Sequence, residues 1–571
     1  MSMKHSLRIL TAAMALAMVL SLSAFASGEA SNDSFNTANS IDAEAEAATV
    51  LFTVDGRTVT SGESEHYTLT GTVGPDRADG IDLSIRDFST NGICVTGGEY
   101  TISNSIISAK ASGPVSGSSE PGGYCAGVVD GLLTIEDSTL TASGKGGVFG
   151  NYTVYCAENG TLVVINSSII QLGTAGDPEG YTDEIMEPPS NGGLFISGYS
   201  RANMSMGVTK TYYYGSYVET DGWAAMSTDM TRDLSFYAYD SAGVAIHAGY
   251  GTYADSSCKD YFYGSVLSGA EIGAIISNNG AIYMANGADA TEEALLYLPG
   301  DYQVSQQYLA RDGRSLLEGG RHALQIHSPE ESKGVTRGMT AIFRASDTDL
   351  ITSEELYSNV TLVDWAKDYG IAAQEYIDFT RGSIFVVKSA YADLDLTRCT
   401  AESYSDTLLM TVVNSDSMSA YALASHDMAG RGTDLTLTEC DIAGDVKAYD
   451  YQRNCVVNLV DSIWTGAYET WDKDTWDAVW SEECKADPIC FWVLDSDTYH
   501  TGAGNGSILT MDCTSVWNVT GDSRIMTLVT EAGAVINGTV TVNGEYVDTS
   551  AGGSWTGDIL VRPANPSGEA S

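Results

Sequence analysis

The sequence is poor in basic residues and in long apolar stretches. Its 571 residues include 28 Lys and Arg against 75 Asp and Glu, which gives a formal net charge of −47. A chain this acidic is repelled by nucleic acid and by anionic membrane surfaces, so neither is an expected partner. Beyond the N-terminal region no apolar run is long enough to span a bilayer, so we expect no membrane insertion.

Common catalytic motifs are missing as well. The chain has no Cys-x-x-Cys, which argues against zinc-ribbon and thioredoxin-type sites, and no His-Glu-x-x-His or Gly-x-Ser-x-Gly. The glycine-rich segment at 502–506 lacks the lysine that follows a phosphate-binding loop. Paired carboxylates for glycoside hydrolysis cannot be singled out, because any two of the 75 acids could be chosen.

What the sequence does contain is a recurring decapeptide. It reads GEYTISNSII from Gly98, GLLTIEDSTL from Gly131 and GTLVVINSSI from Gly160, with starts 33 and 29 residues apart. A fourth copy, GSIFVVKSAY, begins at Gly382. The β-branched residues favour strands, and the Asn-Ser or Asp-Ser pair favours a bend because short polar side chains hydrogen-bond the local backbone. Each copy therefore predicts a strand, a bend and a second strand.

Units of this size must stack on one another, because none can bury an apolar face alone. No helical pattern of useful length occurs among the clear copies, which argues against a βαβ sheet. The sequence therefore predicts an all-β fold, and the repeat resembles that of a right-handed parallel β-helix, a solenoid with one repeat per coil. A second repeat, Tyr-x-Tyr-Gly-Ser, supports this. We expect its tyrosines to form stacked ladders, with a ligand platform as the alternative: Tyr212, Tyr214, Tyr261 and Tyr263.

The N-terminal residues are typical of a secretory signal peptide. Lys4 and Arg8 precede an apolar run, and Ala24-Phe25-Ala26 is a suitable cleavage site. The predicted regions are a signal peptide (1–26), an acidic linker (27–48), a β-helix (49–547) with insertions near 177–191, 353–379 and 469–487, and a flexible tail (548–571). We therefore expect a secreted or surface-located protein, and we expect it to be a monomer.

The ten cysteines fit an oxidising compartment, and their even number allows full pairing. Cys94, Cys125 and Cys156 recur at intervals of 31 residues, which in a solenoid would bring them near one corner. They are either small buried hydrophobes or the source of one disulfide. Other candidate pairs are Cys484 with Cys490 and Cys440 with Cys455.

The last repeat, SVWNVTGDSRIMTLVTEAGAVI from Ser515 to Ile536, resembles the closing repeats of bacterial β-helical adhesins and autotransporter passenger domains. The match rests on Trp517, Val519, Gly521 and Ser523. This resemblance implies a secreted, non-catalytic binding protein of adhesin type. Its expected partner is a glycan or another cell-surface component.

Secreted β-helices also resemble pectate lyases and polygalacturonases, but the motif sets of those enzymes are missing here. A polysaccharide lyase needs a cation beside the uronate carboxylate and a base for the α-proton. One basic segment, residues 311–337, has groups for both roles. The alternative interpretation is that this segment is a loop whose positive charges are neutralised by its own acidic residues. Its candidate residues are Arg311, Arg314, Arg321, His322, His327, Lys333 and Arg337. A polysaccharide lyase or glycoside hydrolase is therefore the alternative function.

A second cluster combines tryptophan with aspartate. Exposed indole faces stack on sugar rings, so Trp471, Trp476 and Trp480 are candidate glycan-binding residues, with a hydrophobic cap over the solenoid as the alternative. Carboxylates lie between them at a spacing that suits calcium, although the EF-hand pattern is incomplete and a solvated acidic loop is the alternative. The candidate calcium ligands are Asp472, Asp474 and Asp477. No other cofactor is expected.

Overall fold

The computed structural model describes residues 49–54, 67–86, 90–111, 124–144, 151–173, 200–247, 249–302, 312–327, 340–360, 371–388, 390–413, 432–486 and 506–564. Within them, parallel strands from successive coils pair in long stacks, so the predicted all-β parallel β-helix is confirmed. The predicted signal peptide, the acidic linker and the insertion near 177–191 lie outside the described residues.

The strands and helices follow in chain order. The first strands are β1 (Thr49–Val54), β2 (Tyr67–Thr70), β3 (Arg77–Asp79), β4 (Asp82–Ile85), β5 (Thr90–Val95), β6 (Glu99–Ser103), β7 (Ile106–Ala111), β8 (Ala126–Glu136), β9 (Thr139–Gly144), β10 (Asn151–Ile165), β11 (Ser168–Gln171), β12 (Ser200–Gly207), β13 (Lys210–Tyr214) and β14 (Tyr217–Thr220). The middle strands are β15 (Ala224–Thr231), β16 (Leu234–Tyr239), β17 (Ala242–Ala245), β18 (Tyr250–Ala254), β19 (Cys258–Tyr263), β20 (Val266–Gly269), β21 (Ile272–Ser277), β22 (Ala281–Ala285), β23 (Ser315–Gly319), β24 (His322–His327), β25 (Ala341–Ser346), β26 (Thr348–Thr352), β27 (Phe385–Lys388) and β28 (Ala392–Thr397). The last strands are β29 (Thr400–Glu402), β30 (Thr407–Val412), β31 (Gly432–Thr438), β32 (Asp441–Ala443), β33 (Asp445–Ala448), β34 (Asn454–Val460), β35 (Ile463–Gly466), β36 (Tyr468–Thr470), β37 (Ser507–Met511), β38 (Val516–Val519), β39 (Ser523–Thr530), β40 (Val535–Val542), β41 (Glu545–Tyr546) and β42 (Gly553–Pro563). The helices are a 3-10 turn (Gly287–Asp289), α1 (Glu354–Tyr357), α2 (Ile371–Thr380), α3 (Lys473–Val479) and α4 (Glu482–Ala486).

Three strand stacks form the walls of the solenoid. Face 1 contains β1, β5, β12, β15, β18, β21, β24, β27, β30, β33 and β36. Face 2 contains β3, β6, β13, β16, β19, β22, β25, β28, β31, β34, β37 and β39. Face 3 contains β4, β7, β9, β11, β14, β17, β20, β23, β26 and β29, followed by β32, β35, β38 and β40. The long strands β8 and β10 run through the corner between faces 1 and 2.

The Asn-Ser and Asp-Ser pairs of the repeat form the corner between faces 2 and 3. Asp137 and Asn166 have positive φ values of 48° and 47°, a left-handed conformation that Asn and Asp tolerate. The following serine belongs to a ladder: the N–H of Ser138 donates to Oγ of Ser167 at 3.0 Å, one coil further on. Its rungs are Ser105, Ser138, Ser167, Ser216, Ser241, Ser265, Ser315, Thr348, Cys399, Cys440, Ser462 and Ser515.

The spacing of the rungs explains why the repeat is irregular in sequence. Successive serine rungs are 33, 29, 49, 25, 24 and 50 residues apart from Ser105 to Ser315. The short intervals are coils of three strands joined by tight turns, and the long ones carry an extra segment between two strands. A fixed period therefore holds only where no such segment intervenes.

Replacement of Ser167 by alanine is expected to lower the free energy of unfolding by about 1–3 kcal/mol, because the buried N–H of Ser138 then has no acceptor. Urea unfolding followed by circular dichroism measures the change. Ser167→Cys is the matched control, since cysteine occupies two natural rungs, and it should lose much less stability. Equal losses for both variants would show that the ladder bond contributes little.

The core is a set of apolar columns that run along the axis. In one of them Phe343, Leu394 and Leu435 follow one another in register and are fully buried. The same column contains a carboxyl group, because Asp260 lies between Phe236 and Ile282. Thr228 Oγ1 donates to Asp260 Oδ2 at 3.1 Å, and burial raises the pKa of Asp260 to about 8.

Antiparallel strands close both ends of the solenoid. At the N-terminal end β2 pairs antiparallel with β4, and at the C-terminal end β42 pairs antiparallel with β39 and β40. The prediction of a flexible tail over 548–571 is therefore wrong for residues 553–563. The side chains of Ile559 and Val561 are fully buried, so apolar burial holds this strand on the last coil.

None of the candidate cysteine pairs in which both residues are described is bonded. Cys94 lies in register with Gly127, whereas Cys156 lies in register with Val128, so the 31-residue spacing does not stack their thiols in one column. Both are buried free thiols, which agrees with the small-hydrophobe interpretation. Cys440 and Cys455 are not bonded to each other, because Cys440 lies at the corner between faces 2 and 3 and Cys455 lies in a face 2 strand. Cys490 lies outside the described residues.

Two helical segments pack on the outside of face 1. Helices α1 and α2 fall in the insertion predicted near 353–379, and α3 and α4 fall in the one near 469–487. Ser481, between α3 and α4, donates its hydroxyl to Glu375 of α2 at 2.6 Å, which ties the two segments together. Among the described residues no helix is long and apolar enough to cross a membrane.

Candidate functional site

The outer surface of face 2 carries an uninterrupted column of polar side chains, here called the face 2 column. Its nine members occupy the same register position in nine successive strands from β13 to β37. They are Tyr212, Tyr237, Tyr261, Tyr283, Arg344, Asp395, Thr436, Asn458 and Thr510. Since neighbouring strands are about 4.8 Å apart, the column extends over roughly 38 Å.

The first four members form a tyrosine ladder. The ring centroids are 5.0 Å apart from Tyr212 to Tyr237, 5.0 Å from Tyr237 to Tyr261 and 4.7 Å from Tyr261 to Tyr283, with the planes within 13° of parallel. Tyr297 packs edge-on against Tyr212 and helps to bury the start of the ladder. The predicted stacking is therefore confirmed for Tyr212 and Tyr261, which stack through Tyr237.

A second, shorter row of tyrosines runs beside the first. Tyr214, Tyr239 and Tyr263 lie in register in β13, β16 and β19. The intervening pair Tyr237 and Tyr239, in the segment YAYDS, is a full member of the Tyr-x-Tyr repeat that the sequence analysis missed. The Tyr-x-Tyr spacing alone would have found it.

Beyond Tyr283 the column continues with charged and polar groups. Arg344 donates to both carboxylate oxygens of Asp393 at 2.9 and 2.6 Å and forms an ion pair with Asp395 at 2.7 Å. Asn458 then donates to Thr436 and accepts from Thr510 at 2.6 Å. Each side chain is thus held by its neighbour in the next coil.

The seven members from Tyr261 to Thr510 are all half-buried, so each shows part of its side chain to solvent. The tyrosine rings face one another and present their edges outward, which leaves the phenol hydroxyls rather than the ring faces for contact. Burial raises the pKa of Tyr261 to about 12, so its hydroxyl remains protonated at physiological pH. The column is a straight row of hydroxyl, guanidinium, carboxylate and amide groups.

The basic segment divides between two parts of the fold. Arg314 lies at the corner between faces 2 and 3, where its Nε is 2.9 Å from Asp349 and its Nη1 is 3.7 Å from Asp347. Arg314 is therefore neutralised by acids of the next coil. Arg311, Lys333 and Arg337 lie outside the described residues.

Arg321, His322 and His327 lie on face 1 and are buried. Arg321 approaches Glu271 to 3.6 Å, and both side chains are fully shielded from solvent. His327 pairs in register with Lys388 of β27, whose Nζ lies 5.3 Å from the ring centre of Tyr376 in α2. Burial, followed by the charges of Arg321 and Lys388, lowers the pKa of His322 well below its usual value. Its imidazole is therefore neutral at pH 7.

This grouping contains a neutral imidazole and cationic side chains, which are the parts that proton abstraction beside a carboxylate needs. Its described members are shielded from solvent, with exposures of 0–1%. The sequence analysis missed Lys388 as a member of the group, because it lies 61 residues after His327 in the chain and meets it only through the stacking of coils.

The candidate tryptophans form a small core between the helical segments. Trp476 and Trp480 are buried, with ring centroids 5.1 Å apart, and Trp480 packs on Phe379 of α2 at 4.7 Å. Trp471 is half-buried and stacks on Tyr449. The expectation that the indole faces are exposed is therefore wrong for Trp476 and Trp480. Their apolar surface packs the helices against face 1.

The three candidate calcium ligands have local roles. Asp472 caps α3 by accepting from the N–H and the hydroxyl of Thr475 at 2.8 and 2.7 Å, and these hydrogen bonds lower its pKa. Asp477 pairs with Lys473 at 2.6 Å, and Asp474 is exposed in the first turn of α3. In the described part of the chain no three His, Cys, Asp or Glu side chains converge as a metal site would require.

No protein-family model matches this chain, and no curated protein or solved structure matches it either. The function must therefore be inferred from the arrangement of its own residues.

Proposed function

We propose that this protein is a non-catalytic, adhesin-type binding protein, secreted or held at a surface, that recognises a glycan along face 2. The observation that carries the proposal is the face 2 column, with seven consecutive half-buried polar members in one straight row. A row of this kind suits an extended polymer that lies parallel to the axis. The same chain then contacts each coil in turn.

The chemistry of the column favours hydrogen bonding to sugar hydroxyls. Phenol and threonine hydroxyls both donate and accept, and the amide of Asn458 does the same. Two of the cations on this face are paired: Arg344 with Asp393 and Asp395, and Lys210 with Glu293 at 3.0 Å. Together with the net charge of −47, this selects an uncharged glycan over an acidic one.

The double variant Tyr261→Phe, Tyr283→Phe is expected to weaken glycan binding about tenfold, because each lost hydrogen bond costs about 0.5–1.5 kcal/mol. The ring stack itself is retained, so stability should change little. A glycan array, run with and without calcium, identifies the ligand, and titration calorimetry measures the loss. The calcium arm also tests whether Asp472, Asp474 and Asp477 contribute to binding through the ion.

Tyr217→Phe is the matched control, since Tyr217 is a half-buried tyrosine on face 3. The affinity of this variant for the glycan should equal that of the unchanged chain. Unaltered binding by the double variant, or an equal loss in the control, would contradict recognition by the face 2 column.

A polysaccharide lyase or glycoside hydrolase is the second candidate function. The observation in its favour is the meeting of Arg321, His322, His327 and Lys388 on face 1. Incubation with a panel of uronate polysaccharides tests it. New ultraviolet absorbance from unsaturated uronate, abolished by Arg321→Ala and by Lys333→Ala, would replace the binding proposal with a lyase. New reducing ends without absorbance would indicate a hydrolase.

A further inference from the structure

Two neighbouring rungs of the serine ladder are cysteines. Cys399 and Cys440 follow β28 and β31, two strands that pair in register up to Thr397 and Thr438. The backbone N–H of Cys399 is directed at Sγ of Cys440, as the serine N–H groups are directed at the next hydroxyl. Both side chains are nearly fully buried, with exposures of 2% and 4%. The two thiols thus occupy equivalent positions in consecutive coils.

Rotation of a single side chain would bring the two sulfur atoms into position to bond. Sγ of Cys440 already faces the coil of Cys399, since it lies 3.6 Å from the carbonyl oxygen of Leu396. Sγ of Cys399 instead faces the preceding coil, 3.4 Å from the carbonyl oxygen of Ala345. A rotation about χ1 of Cys399 turns its sulfur toward Cys440. The strand separation of about 4.8 Å falls within the Cα separations of about 4.4–6.8 Å that disulfides span.

We propose that Cys399 and Cys440 form a disulfide bond that joins two consecutive coils at the corner between faces 2 and 3. The two thiols lose two protons and two electrons as the S–S bond forms. A small-molecule disulfide such as oxidised glutathione accepts the electrons and is reduced to two thiols. The bond takes the place of a serine–serine contact, and it does not depend on the proposed glycan binding.

The bond is expected to form while the chain folds. Burial raises the pKa of Cys399 to about 12 in the folded protein, so little thiolate is present to attack a disulfide. Before the coils stack, both thiols are open to solvent and react at their ordinary rate. The reduced folded protein should therefore oxidise slowly, and the oxidised protein should resist reduction until it unfolds.

Refolding of the full chain tests the proposal. The protein is denatured and reduced, then refolded either with a mixture of reduced and oxidised glutathione or with reduced glutathione alone. After alkylation and digestion, the first preparation should give a peptide pair linked through Cys399 and Cys440, lighter by two hydrogen atoms than the two reduced peptides. Its thermal midpoint should be several degrees higher, because the bond restricts the unfolded chain.

The variant Cys399→Ser keeps a natural ladder residue at its rung but cannot form the bond. Its midpoint should be the same in both preparations and close to that of the reduced unchanged chain. Cys440→Ser provides the same comparison if Cys399→Ser folds poorly. Complete alkylation of both cysteines after oxidative refolding, or linkage of either one to another cysteine such as Cys455, would overturn the proposal.

Discussion

Replacing Asp260 by asparagine is expected to raise the free energy of unfolding at pH 8 by on the order of 5 kcal/mol. At pH 4 the same change should have almost no effect. The reason is the position of the carboxyl group in the core column of face 2, between Phe236 and Ile282, where an ionised side chain would have no solvent. Asparagine keeps a polar partner for Thr228 and cannot ionise.

The direction follows from the pKa of Asp260, which burial raises to about 8 from an ordinary value of 3.8. Below pH 4 the carboxyl is protonated in both the folded and the unfolded chain, so its full contribution to stability is present. As the pH rises toward 8 the unfolded chain releases this proton while the folded chain retains it, and stability is lost. The loss ends once the pH passes the folded pKa.

Urea titrations of the unchanged and variant chains at pH 4, 6 and 8 measure the difference. The gap between the two chains should widen by about 1.4 kcal/mol for each pH unit between these limits. Asp441→Asn, at an exposed position of β32, is the control and should show no widening. A constant gap across the range would mean that Asp260 is ionised in the folded protein.

The repeat fold could be predicted because its determinants are local. Asn166 and Ser167 specify a left-handed residue and a ladder rung within two positions, and the strand residues before them alternate between the solenoid core and the apolar cluster that contains the tyrosine rows. Such features recur in most of the described coils, regardless of what is inserted between them. The all-β solenoid therefore followed from the decapeptide alone.

Whether each candidate side chain is exposed or buried could not be predicted in this way. Trp476 and Trp480 have a spacing that suits either an open platform or a core, and only the position of α2, about 100 residues earlier, decides for the core. Likewise, Arg344 joins the tyrosine row because β25 stacks on β22 across a long inserted segment. Contacts between coils depend on the length of each insertion, which the repeat itself does not encode.

The cysteines illustrate the same limit. Spacing pointed to Cys94, Cys125 and Cys156, whose intervals are equal but whose register differs. The pair that does occupy equivalent positions, Cys399 and Cys440, is separated by 41 residues because a segment lies between β30 and β31. Register, and not sequence interval, decides which thiols meet.

Deletion of residues 553–571 is expected to make the protein assemble end to end into oligomers or filaments at micromolar concentration. The deletion removes β42, which pairs with both β39 and β40 and buries Ile559 and Val561 against the last coil. Without it the end of a parallel solenoid presents unpaired N–H and C=O groups above an apolar core, which is a template for stacking of a further chain.

Light scattering coupled to size exclusion gives the oligomeric state, and electron microscopy shows whether filaments form. Deletion of residues 565–571 alone is the control, since it leaves β42 in place, and this chain should have the same oligomeric state as the full-length chain. Ile559→Asp is a point variant that places a charge beneath the closing strand and should produce the same assembly without shortening the chain. If the chain without β42 kept the oligomeric state and the thermal midpoint of the full-length chain, β42 would not be needed to protect the last coil. In that case the antiparallel strand would serve another purpose than the control of assembly.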